Sequence, residues 1–295
     1  MHRLSPSLHL TKHITNIEYM NNTTEKLPKI LEPLNGLLIA ISFFTRIPVQ
    51  TLGYDQNSWR WSAAFFPFTG YLLGALATIP FALSQKYQIG HGIGFELITP
   101  FLYLTIIYWM NRMLHLDGFC DCCDGFSAMT DSPQKRLEIM KDPHNGSTAT
   151  GAAILLILGK GLILFILIWQ NGAFGSTQQD TFELAIYLAA TPAIARFAIV
   201  LLAYKAHYPR KKGTGLIIIG NITKTSLIIS LLSLTPLLLY LDIHKLKISL
   251  AMLSISVLYW RRKSNESLGG ITGDTLGACC ETTELMILLG LLISP

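Results

Sequence analysis

Three aspartates at helical spacing are the residues of this chain best suited to chemistry. Asp117, Asp121 and Asp124 stand at positions i, i+4 and i+7, which at about 100° per residue places their carboxylates on one stripe of a helix. Like charges stacked in this way repel one another and require a compensating cation. Mg²⁺ binds carboxylate oxygens together with substrate phosphate oxygens, so the spacing predicts a stripe that holds Mg²⁺ against a phosphorylated substrate. A solvated acidic helix is the alternative, and the apolar neighbours of the stripe disfavour it.

Two further acidic segments extend the candidate site. Glu138 and Asp142 are four residues apart, and Asp142 precedes a proline, which ends or interrupts a helix. Asp274 and Glu281 are seven residues apart, and the glycine-rich turn at 269–277 leads into the last apolar stretch. Ionisable groups in such segments are functional candidates, because an unpaired charge is costly there.

Basic side chains near these acids are candidates for binding phosphate oxygens. Arg46 follows the first apolar run, and Arg196 lies inside the apolar stretch 184–204, where an unpaired guanidinium would be costly. The lysines at 211–212 precede Gly213 and offer a second cradle, although a lysine run after a membrane segment more often sets topology. The predicted substrate-binding residues are Arg46, Arg136, Lys141, His144 and Arg196.

The composition indicates a membrane protein. Hydrophobic residues make up 51% of the 295 residues and charged residues only 14%, with a mean hydropathy of +0.42, whereas soluble domains carry about 25% charged residues. The net charge of +5 falls in short loops between apolar runs, which fits membrane topology and not a nucleic-acid partner. We expect an all-α, polytopic helical bundle in the bilayer, with about 6–8 membrane segments.

The apolar stretches set the expected organisation. Residues 1–33 are polar and predicted to be a surface-lying or disordered extension, and residues 34–295 a single membrane-embedded domain. The first stretch, 34–49, is short and is predicted to be a half-helix or a re-entrant segment. The basic loops 205–225 and 261–274 are predicted to be cytoplasmic, which places 116–150 on the same side. The eight apolar stretches are 34–49, 62–83, 97–115, 151–170, 184–204, 226–242, 246–260 and 275–293, of which the pair 226–242 and 246–260 is short enough for two tight helices or one hairpin.

Five short motifs resemble those of the cobalamin synthases (adenosylcobinamide-GDP ribazoletransferases). They occur in the family's order and cover nearly all of the chain from about residue 36 onward. The aspartate motif together with the Gly-Asp motif is specific, whereas either alone is suggestive only. The matching motifs are Phe43-Phe44-Thr45-Arg46-Ile47-Pro48-Val49, Phe65-Phe66-Pro67-Phe68-Thr69-Gly70, His115-Leu116-Asp117-Gly118 through Asp121 to Asp124-Gly125, Glu138-Ile139-Met140-Lys141-Asp142 and Gly273-Asp274-Thr275-Leu276-Gly277-Ala278.

The resemblance implies a late step of cobalamin biosynthesis. The family joins adenosylcobinamide-GDP to α-ribazole, or to its 5′-phosphate, and releases GMP. The implied setting is the bacterial cytoplasmic (inner) membrane, with a multi-pass chain, an active site facing the cytoplasm, and assembly as a homo-oligomer or with other enzymes of the pathway. Asp117, Asp121 and Asp124, with Asp274 or Asp142, are then the predicted Mg²⁺ ligands. The first three are also the predicted catalytic residues, with Asp124 as the hypothetical proton acceptor.

Two other functions fit parts of the pattern. CDP-alcohol phosphotransferases also place aspartates and glycines on membrane helices and use a divalent metal, but with longer gaps than Asp117–Asp124. A cation transporter would line an ion path with the same acids, yet neither an inverted repeat nor a matched pair of broken helices is evident in the sequence.

Overall fold

The computed structural model describes residues 27–87, 93–173, 177–213, 215–240 and 242–294. In these ranges the chain forms helices and no β-strand, which confirms the all-α prediction. The predicted extension at 1–33 lies mostly outside the described residues, and the single-domain assignment stays a prediction. The helices are α1 (Glu32–Phe44), α2 (Gln56–Ser62), α3 (Phe66–Tyr87), α4 (Ile93–Met110), α5 (Leu114–Ser127), α6 (Pro133–Ile139), α7 (Ser147–Ala173), α8 (Gln178–Ala203), α9 (Gly215–Ile218), α10 (Lys224–Leu232), α11 (Leu237–Tyr240), α12 (Ile243–Leu268) and α13 (Gly273–Ile293).

Four helices of the described chain are long and apolar enough to cross a membrane. The first is Gln56–Tyr87, which comprises α2 and α3, and the second is Ser147–Asn171, which is most of α7. The third and fourth are α8 and α13. The bundle is therefore that of a membrane protein, and the count of about 6–8 segments stays a prediction.

Helix α12 is longer than the apolar stretch 246–260 predicts. It extends over Ile243–Leu268 and runs beside α8. Lys245 pairs with Glu183 at 3.2 Å at one end, and Arg261 donates to the Leu201 carbonyl at 2.9 Å at the other. Charged residues at both ends shorten its apolar signal, although its 26 residues would span about 39 Å.

The chain turns back after the first apolar stretch. Helix α1 ends at Phe44, and the chain after it returns to the beginning of the same helix. There the Asn35 side chain donates to the Gly53 carbonyl and accepts from the Leu52 N–H, both at 2.8 Å. This geometry fits the predicted half-helix. The stretch 226–242 is likewise divided, between α10 and the short α11.

A buried ion network joins three helices of the bundle. The Lys160 ammonium of α7 lies 2.6 Å from Glu281 and 2.7 Å from Glu284, both on α13. Arg196 of α8 pairs with the second oxygen of Glu284, and the Tyr108 hydroxyl donates to Glu281 at 3.0 Å. The four charged side chains are buried and their formal charges cancel, so the network holds the helices together without net charge.

This placement bears on two candidates from the sequence. Arg196 is fully buried and pairs with Glu284, which disfavours its predicted role in substrate binding, a role that stays a prediction. Glu281 is held by Lys160 instead of joining the candidate site. Lys160 itself was missed, because a single lysine in an apolar stretch does not reveal its partner.

Replacing Lys160 by methionine should destabilise the bundle strongly. The change leaves Glu281 and Glu284 buried without their shared cation, so we expect the free energy of unfolding to fall by about 3–5 kcal/mol, measured by denaturant titration in detergent. Lys247→Met, on the exposed side of α12, is the matched control. Adding Glu281→Gln to Lys160→Met removes one charge of each sign and should recover part of the loss. Equal losses in Lys160→Met and Lys247→Met would contradict this role.

Candidate active site

Helices α5 and α13 approach each other through glycine faces. A methyl group on Gly118 would lie 2.8 Å from the Asp274 carbonyl oxygen, so only glycine allows this contact. One turn away, a methyl group on Gly277 would lie 3.0 Å from the His115 carbonyl oxygen. Residue 118 thus faces 274 while 115 faces 277, which makes the helices antiparallel. The contact brings the aspartate stripe of α5 beside the beginning of α13.

A left-handed turn aims α5 at this contact. The predicted apolar stretch 97–115 is interrupted after Met110, where Arg112 and Met113 have φ values of 57° and 56°. Such values cost about 1–2 kcal/mol per non-glycine residue. The Asn111 side chain accepts the Met113 N–H at 2.9 Å and so stabilises the turn.

The aspartates that meet here carry more negative charge than their surroundings neutralise. Burial raises the pKa of Asp121 to about 8, and the negative charges of Asp274 and Asp117 act in the same direction. Burial also raises the pKa of Asp117, again with a contribution from Asp274. Asp117 remains solvent-accessible and Asp121 partly so, as expected of carboxylates in an open cleft. An added cation would relieve this repulsion.

Asp124 has a different partner from the other two residues of the stripe. Its two carboxylate oxygens accept the backbone N–H groups of Gly146, at 2.6 Å, and Ala149, at 3.0 Å. Asp124 therefore caps the beginning of α7 from a neighbouring helix. This position disfavours the hypothesis that Asp124 accepts the substrate proton, because both oxygens are already engaged. Its role as a metal ligand stays a prediction.

Asp274 lies in the first turn of α13 and is paired with an arginine. Thr272 caps this helix by accepting the Thr275 N–H at 3.2 Å, and a negative charge is favourable at this end of a helix. The Asp274 carboxylate lies 2.8 Å from the Arg210 guanidinium. Arg210 belongs to the basic loop 205–225 and directly precedes the predicted phosphate cradle at 211–213.

Arg136, a predicted substrate-binding residue, is bonded to the backbone at the end of α5, and its role in substrate binding stays a prediction. Its guanidinium donates to the carbonyl oxygens of Gly125, at 3.0 Å, and Phe126, at 3.1 Å, and also to that of Thr130. These bonds satisfy carbonyls at the C-terminal end of α5. The guanidinium therefore fixes the end of the helix that carries the aspartates.

The other basic candidates lie at accessible positions. Arg46 is exposed, donates to the Trp109 carbonyl and lies 5.4 Å from the centre of the Trp109 ring. Lys141 is exposed and close enough to interact electrostatically with Asp274. His144 lies 2.8 Å from Asp142, and its hydrogen bonds lower the pKa of that carboxyl. The metal-binding role of Asp142 and the substrate-binding role of His144 stay predictions.

The donor set fits Mg²⁺ bound jointly by protein and substrate. Asp117, Asp121 and Asp274 supply the carboxylate oxygens that this hard ion prefers, and their mutual repulsion favours a cation between them. Among the described residues, no three His, Cys, Asp or Glu side chains are already grouped as a metal site. Mg²⁺ commonly takes only one or two carboxylates and completes its shell with phosphate oxygens and water, so the aspartates suit an ion that arrives with a phosphorylated ligand.

Comparison with known proteins identifies relatives over nearly the whole chain. Residues 36–292 match the family model described as cobalamin-5-phosphate synthase. An adenosylcobinamide-GDP ribazoletransferase of Clostridium botulinum (strain 657 / Type Ba4) is 32% identical over 269 residues, which is 88% of this chain and 98% of the relative. The proteins of the same name from Klebsiella pneumoniae (strain 342) and Escherichia coli (strain K12 / DH10B) are 34% and 32% identical; the alignments cover 88% and 85% of this chain and 100% and 97% of the relatives. No solved structure matches.

Enlarging Gly118 tests the contact between α5 and α13. Gly118→Ala forces backbone atoms apart, so we expect the free energy of unfolding to fall by about 1–3 kcal/mol. Gly151→Ala is the matched control, since a methyl group there meets no atom within 4 Å, and alanine in an open helix should raise stability by about 0.4–1 kcal/mol. Denaturant titrations of both variants give the comparison. A loss in Gly118→Ala no larger than the change in Gly151→Ala would show that the helices are not in close contact.

Proposed function

Since the chain belongs to the cobalamin-5-phosphate synthase family, it joins adenosylcobinamide-GDP to α-ribazole in cobalamin biosynthesis, and we propose that the aspartates of α5 and α13 form its active site. The observation that supports this location is that Asp117 and Asp121 of α5 interact electrostatically with Asp274 of α13. The two segments are far apart in sequence. Both segments also belong to the motifs that carry the resemblance to the family.

The reaction exchanges the phosphoanhydride bond of the diphosphate for a new phosphodiester bond. A ribose hydroxyl of α-ribazole attacks the phosphorus attached to the cobinamide and forms a new P–O bond. The bond between this phosphorus and the bridging oxygen of the diphosphate breaks, and GMP leaves with the bonding electron pair. The hydroxyl proton passes to a carboxylate of the enzyme. The product is adenosylcobalamin, or its phosphate where α-ribazole 5′-phosphate is the acceptor.

Asp117, Asp121 and Asp274 are the proposed Mg²⁺ ligands. Bound Mg²⁺ would neutralise charge on the diphosphate and on the departing GMP. The remaining tasks of the protein are to align the hydroxyl with the phosphorus and to accept one proton. We assign proton acceptance to whichever of Asp117 and Asp121 keeps a carboxylate oxygen free of the metal, because the Asp124 carboxylate is engaged by two backbone N–H groups.

Exposed cations beside the cluster are the proposed contacts for the substrate phosphates. Lys141 interacts with Asp274 from an exposed position, and Arg46 has an accessible guanidinium next to Trp109. Both belong to motifs that resemble the family. The roles of Arg46 and Lys141 in substrate binding remain part of this proposal.

The proposed orientation places this end of the bundle in the cytoplasm of a bacterial inner membrane. The aspartates lie at the same end as the loop at 204–213, whose Arg210 pairs with Asp274. Arg261 lies at this end too, bonded to the end of α8. Short loops rich in lysine and arginine favour the cytoplasmic side, which is also where a nucleotide-activated substrate is supplied.

Replacing one aspartate of the cluster tests the proposed site. Membranes containing the chain should convert adenosylcobinamide-GDP and α-ribazole into equal amounts of cobalamin and GMP. Both products are measured by chromatography. Asp121→Asn should lower kcat/KM about 100-fold or more, because it removes a charge that acts on the transition state. Asp131→Asn, at an exposed position outside the cluster, is the matched control and should retain full activity.

Removal of the metal tests the cofactor separately. EDTA should abolish turnover of the wild-type chain, and excess Mg²⁺ should restore it. Full turnover in EDTA would contradict the metal proposal, and full turnover of Asp121→Asn at saturating Mg²⁺ would contradict the site. Folded wild-type protein that forms neither product would redirect the tests to CDP-alcohol transfer and cation flux.

A further inference from the structure

Arg210 enters the aspartate cluster from a third part of the chain. It lies in the loop between α8 and α9, and its side chain is only 11% exposed. The guanidinium lies 2.8 Å from the Asp274 carboxylate and beside the Tyr208 hydroxyl. Its Nε makes no hydrogen bond to any described residue. An arginine so nearly buried, with part of its donor set unused, has capacity for a second partner.

Arg210 compensates the cluster in the protein without a bound cation. Its positive charge acts on Asp121 as well as on Asp274, against the repulsion between these carboxylates. Of the described lysines, arginines and histidines, no other forms an ion pair with Asp117, Asp121, Asp124 or Asp274. Arg210 therefore stands where a bound cation would interact with the same carboxylates.

A divalent cation and this guanidinium compete for one carboxylate. Two positive groups on Asp274 repel each other, so binding of the ion weakens the pair with Arg210. The released guanidinium keeps five N–H donors in a planar fork that matches phosphate oxygens. A diphosphate substrate offers such oxygens at the same place and time.

We propose that Arg210 is an exchangeable counter-ion, paired with Asp274 in the protein without cation and transferred to the diphosphate of the substrate once a divalent cation binds. The identity of the second partner rests on the proposed function, whereas the competition for Asp274 rests on the ion pair alone. Arg210 thereby reduces the repulsion among these acids before substrate arrives. After the exchange it contacts the phosphate groups that carry negative charge in the reaction.

The exchange predicts effects of opposite sign on ion binding and on turnover. Arg210→Gln removes the competitor, so Mn²⁺, used as the probe for Mg²⁺, should bind the purified substrate-free protein about tenfold more tightly, measured by the loss of the free-ion signal in electron paramagnetic resonance. In the same variant kcat/KM should fall about 100-fold, because a phosphate contact is lost. A purely structural arginine would not raise ion affinity when removed.

Two further variants separate charge from geometry. Lys212→Gln removes an equal charge from an exposed neighbouring position and should change Mn²⁺ affinity less than about twofold. Arg210→Lys keeps the charge without the planar fork, so Mn²⁺ affinity should stay near that of the wild type while KM for the diphosphate substrate rises.

Unchanged or weaker Mn²⁺ binding by folded Arg210→Gln would overturn the proposal. Tenfold tighter Mn²⁺ binding by Arg210→Lys, the result expected for Arg210→Gln, would also overturn it. A wild-type chain that makes no product, together with tighter Mn²⁺ binding by Arg210→Gln, would instead retain the competition for Asp274 and overturn the proposed reaction. The ion measurement needs no substrate, so failures of the two proposals are distinguishable.

Discussion

The close antiparallel contact between α5 and α13 is the constraint on which the site depends. Gly118 and Asp274 meet with no side chain between the two backbones, and this contact sets carboxylates of both helices side by side. Burial, and after it the repulsion from Asp274 and Asp117, raises the pKa of Asp121 to about 8. Packing elsewhere in the bundle must therefore hold α5 and α13 together against the repulsion between their carboxylates. The left-handed turn at Arg112 and Met113 and the buried ion network are the two devices that do so.

Two groups of charged residues in the described chain have opposite roles. Lys160 and Arg196 balance two glutamates in the buried interior of the bundle, where an uncompensated charge would be prohibitive. The aspartates at the end of the bundle are only partly compensated, by Arg210, and they are open to solvent. Excess negative charge can persist at such a position, since water and ligands reach it. The first group thus stabilises the fold, and the second is available for chemistry.

Helix periodicity predicted the face on which a residue lies but not its partner. The spacing of Asp117 and Asp121 correctly indicated one stripe, because that depends only on local geometry. Periodicity did not predict the protein partners of Arg196 and Arg136, because these come from α13 and from the end of α5. The pair between Arg210 and Asp274 was not predicted for the same reason, because the sequence around a basic loop residue does not indicate a distant partner.

Boundaries were predicted well where apolar stretches end in polar turns and poorly where charge lies inside a helix. Residues 275–293 correspond closely to α13, whereas α12 begins three residues before 246–260 and ends eight residues after it. The interruption of the stretch 97–115 before the aspartate helix was not predicted, because no glycine or proline marks the left-handed turn at 112–113. Asn111 supplies the hydrogen bond that stabilises this turn, and a single asparagine is a weak signal in a sequence.

Metal-directed cleavage of the backbone tests most directly whether α5 and α13 share one cation site. Fe²⁺ bound in place of Mg²⁺, with ascorbate and peroxide, generates hydroxyl radicals that cut the chain close to the ion. The account predicts two cuts, one near Asp117–Asp121 and one near Asp274, both suppressed by excess Mg²⁺ and both absent in Asp121→Asn. Cleavage near only one of the two segments, or at sites that Mg²⁺ does not protect, would contradict the shared site.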